Sequence, residues 1–456
     1  MRDLLLGKTP KDWDIATNAK PEEILGLFQD AAFYENAFGT VGVKTGSDDQ
    51  TLRVIEVTTF RIDSKYSDRR RPDEVLFSDT IEEDVKRRDF TINAMALGWE
   101  GELVDQFDGQ ADLKAKLIRT VGRPEDRFRE DALRMIRAIR LAVELGCTIE
   151  PDTSAAIQAQ ADLVQHVSRE RIRDELTRIL MQAEAVRGLE LLRTANLLIE
   201  MMPELLQGYG VGQNKHHRYD VYEHSLRALE YAAAKKFPLE LRLAALLHDI
   251  GKPLTKQGDG PDCTFYNHEI IGAKLARHML TRLRFSNETI RTVTHLVRYH
   301  MFYFELEAVT PAAVRRFARR VGEEYLEDLF KLREADRIGS GVPKAVPYRL
   351  RYLKYLIKKV SVEPIKPTMV QLRGDEVMKI LNIPPSPRVG WVLKALLEEV
   401  LDDPKRNKPE YLKQRAAELG QLADEELQKL ALGAEEKKDA IEAEMDEQLK
   451  DEFYVK

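Results

Sequence analysis

Two short runs near the start of the chain alternate apolar and polar residues with a period of two. "FGTVGVKTG" and "TLRVIEVTTFRID" are rich in Val, Ile and Thr, and both predict strands, the first with glycine bends. "RRDFTINAMALG" predicts a helix, with Phe90, Ile92, Ala94 and Met95 helping to fill an apolar face. From "RPEDRFREDALRMIRAIRLAVELG" onward the period lengthens. Apolar residues recur at three and four, and the remainder reads as helices joined by short loops. "GYGVGQNKHHRYD" reads as a linker before a new helical unit, and its "NKHHRY" part offers cationic side chains for RNA phosphates. "VEPIKPTM" and "NIPPSPRVG" are proline punctuations marking a C-terminal segment. The last stretch, "GAEEKKDAIEAEMDEQLKDEF", predicts a charged helix or a frayed tail. The expected class is α+β: a small α/β head, an all-helical neck, a further helical domain and a helical tail. The expected boundaries are 1–125, 126–208, 215–342 and 343–456.

A chain of 456 residues suits about three domains at usual domain sizes. Hydrophobic residues make up 43%, enough for proper cores, and charged residues 32%. The balance of 71 basic and 77 acidic residues gives a net charge of −6, so any nucleic-acid site must be a local patch. The two cysteines, Cys147 and Cys263, are far apart; a disulfide framework is not expected, and a reducing cytosol fits. No apolar run reaches membrane-spanning length, and no signal peptide is expected.

Several pieces then carry chemistry. In "LLLGKTPKDWDIATN", Asp12 and Asp14 stand two apart. On a strand, such residues share a face, and their carboxylates repel unless a cation lies between them. Hard cations such as magnesium take oxygen ligands. Glu56, in the middle of a predicted strand, is expected to face them as a third acid or a water-mediated neighbour. "YSDRRRPDEV" is a basic loop carrying Arg69, Arg70 and Arg71. In "KRRDFTINA", Arg88 suits triphosphate oxygens, Asp89 a ribose hydroxyl, and Asn93 an assisting role. In "EDALRMIRAIR", Asp131 and Arg134 are three apart and are expected on one helix face. Cytosine and adenine both show an amine donor beside a ring-nitrogen acceptor. An aspartate and an arginine match that edge and repel uracil and guanine. Arg137 and Arg140 continue the row and suit phosphates.

A second constellation lies in the helical middle. His224 falls in "YEHSL", His248 and Asp249 in "AALLHDIGKP", His268 in "FYNHEIIGA", His300 in "VRYHM" and Asp336 in "EADRIG". "RLAALLHD" reads as a mostly buried helix, where a histidine and an aspartate are costly unless paired or metallated. Imidazole and carboxylate donors suit a transition metal such as manganese, nickel or cobalt.

Taken together and in order, "RDLLLGKTPKDWDIAT", "FGT", "EVTTFRID", "RRRPDEV", "RRDFTINAMAL", "DQFDGQADL", "EDALRMIRAIR" and "SRERIRDEL" resemble the class II template-independent nucleotidyltransferases. These are the tRNA CCA-adding enzymes and the bacterial poly(A) polymerases. The resemblance covers roughly the first 180 residues. It implies a polymerase-like head and helical neck, body and tail elements that hold tRNA. It also implies magnesium on Asp12 and Asp14, triphosphate on Arg2, Arg88, Arg137 and Arg140, and selection of C and A by Asp131 and Arg134. The family's Gly-Gly pair and first strand precede "RD", upstream of Met1, so a truncated sheet is expected. The family's CC-only members lack the "RRRPDEV" loop, which argues for full CCA or A addition from CTP and ATP. "DIATNAKPEEI" looks more CCA-like than poly(A)-like.

The middle segment resembles the HD phosphohydrolases, whose H…HD…D pattern is filled by His224, His248, Asp249 and Asp336. His268 and His300 stand where dinuclear members place extra ligands, with His295 competing for the last position. Two other expectations compete with a bifunctional enzyme: a phosphohydrolase with an inactive head, or an RNA-binding scaffold. "VQLRGDEVMKILNIPPSPRVGWVLKALLEEVLDDPKRNKPEYLKQ" resembles the C-terminal segment of HD-bearing CCA-adding enzymes, with Ser386 in place of a usual glycine.

Overall fold

The computed structural model describes residues 1–10, 13–35, 39–64, 74–214, 218–305, 309–361 and 370–456. The chain forms two compact units. One comprises Met1–Phe302 with Glu327–Ala345, the other Tyr303–Leu326 with Val346–Lys456.

The first unit begins with a four-residue helix, Arg2–Leu5, and then a four-stranded sheet. Its strands are β1 (Asp14–Thr17), β2 (Ala32–Tyr34), β3 (Thr40–Lys44) and β4 (Val54–Thr59), in the order β1-β4-β3-β2. β1 runs parallel to β4, and the other pairs are antiparallel. Val41, Val43 and Val57 bury one face against Ile24 of the helix Pro21–Phe28. Gly42 has a packing reason: a Cβ there would stand 2.6 Å from the Phe33 ring on the neighbouring strand. The predicted strand "TLRVIEVTTFRID" is two strands. It breaks at Phe60, whose N–H makes the last bond to β1 at Thr17 O while its O accepts from Ser78 N, and resumes as Arg61–Ser64.

"RRDFTINAMALG" is not a helix. Phe90 bridges Thr120, Thr91–Asn93 is a single 3₁₀ turn, and Ala96–Leu97 pairs with Leu103–Val104. Phe90, Ile92 and Ala94 follow a period of two, and all three are buried. Hydrogen bonds from Thr91 N to Arg119 O and from Val121 N to Asp89 O hold this stretch against its neighbour in place of helical bonds.

Beyond it the described residues of the unit are mainly helical, with the two-residue pair Leu117–Ile118 and Thr148–Ile149 and a single bridge between Gln257 and Thr264. The helices Leu133–Glu144 and Arg169–Leu180 pack through Ile136, Ile139, Ile172, Leu176 and other buried side chains. Arg242, itself buried, donates to Leu180 O, Gln182 O and Phe237 O, and so closes two helix junctions. Helices Val221–Ala234, Leu239–Leu247, His268–Arg282, Asn287–Tyr299 and Glu323–Gly339 follow.

In the second unit, Val377, Val392, Leu396, Leu412, Leu419 and Leu427 form a core. The charged tail is one helix, Asp424–Phe453, which buries Leu427, Ala431 and Ala434. Asp446 on it accepts from Tyr355 Oη at 2.5 Å and pairs with Lys359. No described helix is long and apolar enough to cross a membrane.

Candidate active sites

In the head, Asp14 on β1 and Glu56 on β4 are register partners of a parallel pair. Register partners project to one sheet face, so the two exposed acids share it. Asp12 lies outside the described residues, as do Arg69, Arg70 and Arg71.

The structure brings five other expected residues into one network. Arg2 donates to Asn93 Oδ1 at 2.9 Å, and Asn93 Nδ2 donates to Asp89 Oδ1 at 3.2 Å. Arg88 donates to Asn93 O at 3.1 Å and pairs with Asp84. Arg137 grips Asp89 Oδ2 with Nε at 2.9 Å and Nη2 at 2.7 Å. Burial works to raise the pKa of Asp89, but Arg137 and Asn93 outweigh it and hold the carboxyl below its ordinary range. With Phe90 N also bound at 2.9 Å, four protein donors occupy the carboxylate. An ionised carboxylate has about four acceptor sites. A ribose hydroxyl would therefore have to displace one donor to reach Asp89.

The remaining three expected residues are placed differently. Asp131 is not on the helix with Arg134. It is the extended residue between helices Pro124–Glu130 and Leu133–Glu144, where its Oδ1 accepts from Leu133 N. Its carboxylate takes both Nη atoms of Arg171, at 2.6 and 3.2 Å. Arg134 pairs with Glu130 at 2.6 Å. Arg140 is buried between Glu175 at 2.5 Å and Glu144 at 2.6 Å, and touches the Asp89 network only through Glu175, which lies 3.8 Å from Arg137.

The second site is denser. His224, His248, Asp249, His268, His300 and Asp336 are all buried, and they converge from five helices and their ends. His224 Nε2 stands 2.9 Å from His248 Nε2, and His268 Nε2 stands 3.3 Å from His300 Nε2. Asp249 joins the two halves. Its Oδ2 faces His224 at 3.1 Å and His248 at 3.4 Å, and its Oδ1 faces His268 at 3.3 Å and His300 at 3.6 Å. Asp336 Oδ1 lies 3.4 Å from His224. The donors thus fall into two sets able to hold a metal: His224, His248 and Asp336, and Asp249, His268 and His300. His295, the competing choice, packs its ring on Tyr299 and belongs to neither set.

Local geometry aims the rings. His248, His268 and His300 each direct Nδ1 to the carbonyl three residues back, Ala245, Phe265 and Val297, at 2.7–2.8 Å. That fixes the tautomer and leaves Nε2 as a lone-pair donor. Two glycines let the helices approach. A Cβ on Gly251 would stand 2.2 Å from His268 O, and one on Gly339 would stand 2.8 Å from His224 O. Opposed lone pairs at these distances repel, so the cluster needs positive charge. Burial pulls the pKa of His248 down, but Asp249 and Asp336 push it up to about 10. A bound cation would take the place of that proton. The donor set fits a divalent transition metal.

Sequence reasoning missed Lys252 and Gln213. Lys252 Nζ lies 2.6 Å from Asp249 Oδ2 and 2.6 Å from Gln213 Oε1. The spacing Asp249-x-x-Lys252 was a usable signal. Gln213 sits in the stretch read as a linker and had none.

Comparison with known proteins matches the regions in which the two sites lie. Residues 1–119 match the poly A polymerase head domain, 146–208 the probable RNA and SrmB-binding site of polymerase A, and 221–340 the HD domain. The A-adding tRNA nucleotidyltransferase of Deinococcus radiodurans is 39% identical over 332 residues, 70% of this chain and 75% of that protein. The CCA-adding enzyme of Bacillus subtilis is 31% identical over 420 residues, covering 91% and 92%. The chain belongs to the tRNA nucleotidyltransferase and poly(A) polymerase family. It is a nucleotidyltransferase of that family with a fused HD domain. The CC-adding tRNA nucleotidyltransferase of Thermus thermophilus is 34% identical over 417 residues, covering 87% of each chain. In fold, the chain is similar to the Bacillus stearothermophilus CCA-adding enzyme in complex with CTP. The TM-score is 0.55 at 29% identity, over 91% of this chain and 90% of that one.

Proposed function

We propose that this nucleotidyltransferase adds C, C and A to the 3' end of tRNA, from CTP and ATP and without a nucleic-acid template. The observation that carries the reading is the joined network of Arg2, Arg88, Asp89, Asn93 and Arg137 in a chain whose head also pairs Asp14 with Glu56. In it, Arg88 and Arg137 would bind the triphosphate and orient it toward the acids. Asp12, Asp14 and Glu56 would hold magnesium, which when bound lowers the pKa of the attacking hydroxyl and neutralises the leaving pyrophosphate. Asp131 and Arg134 would read the base edge once released from Arg171 and Glu130. The two free, buried cysteines suit a reducing cytosol.

A second reading is A addition alone, favoured by the 39% identity to the A-adding relative. One assay separates the two: purified protein, magnesium, labelled CTP and ATP, and tRNA ending either before CCA or after CC. CCA addition extends both tRNAs, whereas A addition extends only the second. Extension of neither overturns the transferase proposal.

For the HD centre we propose metal-dependent phosphoester hydrolysis, on a 2',3'-cyclic or 3'-terminal phosphate of damaged tRNA. Removing such a phosphate restores the 3'-hydroxyl that the head must extend. His224, His248, Asp249, His268, His300 and Asp336 would hold manganese, nickel or cobalt, which supplies a water of lowered pKa. Lys252, buried beside Asp249, would hold a cation next to the phosphate. Metal analysis and hydrolysis assays test this. A protein that retains no transition metal, and is activated by none of the three, is a scaffold at this centre.

A further inference from the structure

Residues 208–214 precede the helix Val221–Ala234, which carries His224. Three backbone donors tie this segment to the start of that helix. Tyr222 N donates to Gly208 O at 3.2 Å, Val221 N to Val211 O at 3.1 Å, and Gly210 N to Asp220 Oδ2 at 2.8 Å. Gln213 adds two longer bonds of the same kind, from Nε2 to Tyr219 O at 3.2 Å and to Asp220 O at 3.3 Å. Its side-chain oxygen goes elsewhere. Oε1 accepts from Lys252 Nζ at 2.6 Å, at the start of the short helix Lys252–Thr255. The two carbonyls decide which way the amide faces, because a flipped amide would set its NH2 against the ammonium and its oxygen against Tyr219 O and Asp220 O. The bonds from Nε2 thus duplicate a tie that backbone groups already make. The bond to Lys252 duplicates nothing else in the segment.

Lys252 is buried, and its ammonium is enclosed. Nζ lies 2.6 Å from Asp249 Oδ2 and 5.5 Å from the centroid of the buried Phe265 ring. An ammonium has three donors. Among the described residues, Asp249 and Gln213 take two of them, which leaves one N–H for an anionic ligand. Asp249 alone is a poor anchor. Its carboxylate faces four imidazoles and belongs to one of the two sets able to hold a metal. A cation in that set would share the charge of Asp249 and repel the ammonium. The lysine stem is flexible, so a second anchor is needed to keep Nζ in place. Gln213 Oε1 is that anchor, and Gln213 belongs to neither donor set. Being neutral, it also leaves the positive charge of Lys252 available to an anion, which a carboxylate at this position would cancel.

We propose that Gln213 is a positioning residue of the HD centre: its side-chain oxygen holds Lys252 beside Asp249, so that the remaining N–H takes a phosphate oxygen of the substrate. The proposal rests on the hydrolase reading of that centre. It gives the segment before His224 a part in binding the anion and not only in joining two helical regions.

The test uses the full chain in four forms: wild type, Q213M, K252M and Q213M/K252M. Met keeps the length of Gln and offers only a weak acceptor. Gln213 is half-buried and the three backbone bonds remain in every form, so each should fold, and the melting temperature checks it. Each form is loaded with whichever of manganese, nickel or cobalt the wild type retains. Binding of inorganic phosphate is measured by titration calorimetry, alongside hydrolysis of 2',3'-cyclic AMP. For Q213M the expected results are an unchanged metal content and a Kd for phosphate and a KM for the cyclic nucleotide each raised about tenfold. K252M should weaken phosphate binding at least as much. Q213M/K252M should match K252M, because a residue that acts through Lys252 then has nothing left to act on. Equal phosphate affinity in wild type and Q213M overturns the inference. So does a further tenfold loss when Q213M is added to K252M, which would mean that Gln213 acts only by tying its segment to the helix. Loss of metal from Q213M overturns it as well, because Gln213 would then support the ligands and not Lys252. If the wild type retains no transition metal and binds no phosphate, the hydrolase reading itself fails and takes this inference with it.

Discussion

Asp89→Asn separates two roles that one residue can play in the head. An aspartate that accepts from a ribose hydroxyl distinguishes CTP from its 2'-deoxy analogue. An aspartate that only holds Arg137 cannot. The structure argues for the second role. Both Arg137 bonds end on Oδ2, while Phe90 N and Asn93 Nδ2 fill Oδ1. The substitution removes the charge and converts one oxygen to a donor, so Arg137 loses its charge-assisted grip or Oδ1 loses its two donors. A hydrogen bond to a charged group is worth about 1.5–3 kcal/mol. Arg137 keeps a longer contact to Glu175, at 3.8 Å, and is a third exposed, so the loss of positioning should be about 2–3 kcal/mol rather than the full sum. That corresponds to a fall in kcat/KM of roughly 30- to 150-fold. The assay is single-nucleotide extension of tRNA with CTP and with 2'-deoxy-CTP, for wild type and variant. The expected result is an equal fall for both nucleotides, with their ratio unchanged. Collapse of the ratio toward one, with CTP alone affected, would refute the positioning argument and show that the ribose displaces a protein donor.

Asp14→Ala should reduce incorporation by orders of magnitude while leaving tRNA binding intact, because it removes an oxygen ligand beside Glu56 without touching a buried side chain; near-normal extension would exclude Asp14 from the metal site. His248→Ala should lower bound transition metal, measured by mass spectrometry of the purified protein, and abolish phosphoester hydrolysis while C and A addition continues. Loss of both activities would mean that the two centres are coupled. In the tail, burial works to raise the pKa of Asp446, but hydrogen bonds from Lys359, Tyr355 and Lys450 hold it down, at about 2. A depressed carboxyl contributes stability above its unfolded pKa of about 3.9 and loses it as pH falls toward the folded value. Because the site is solvent-screened, the contribution is about 1 kcal/mol. Acid titration should loosen the tail helix between about pH 4 and 2, seen as faster amide exchange in Asp424–Phe453, and Asp446→Asn should remove that step.

What the sequence revealed, and what it hid, follows from the range of the forces involved. Strand β4 was legible because a half-buried strand writes its period into adjacent residues, and β3, buried on both faces through Val43, by its Val and Thr content. The stretch around Phe90 misled because Ala, Met and Leu favour helix locally, while the bonds that decided its conformation come from Arg119 and Val121, thirty residues away. Asp131 and Arg134 were expected on one helix face because i and i+3 meet on a helix; the extended Asp131 instead ends one helix and caps the next by accepting from Leu133 N, a start signal hidden inside a continuous helical pattern.

The HD centre shows the same limit from the other side. Its ligand types were readable, since a histidine and an aspartate at the end of a buried apolar helix demand partners. Which histidine completes the second set was not readable. His295 and His300 are five residues apart on and just beyond one helix, and only the approach of His268 selects between them. That approach depends on Gly251, where any side chain would strike the backbone at His268. Gly251 does not end the apolar helix, which stops at Leu247; it stands just before the short helix Lys252–Thr255. Its role is to let two helix ends come close enough for Asp249 to face imidazoles from both sets. A cluster of four imidazoles and two carboxylates, held this tightly around one bridging carboxylate and closed by Lys252, costs too much in buried polarity to be a side effect of packing. Hydrophobic residues of the same volume would hold these helices together at lower cost. The retained donors, each aimed by its own Nδ1 bond or by a glycine-permitted approach, are therefore best explained by what they can bind.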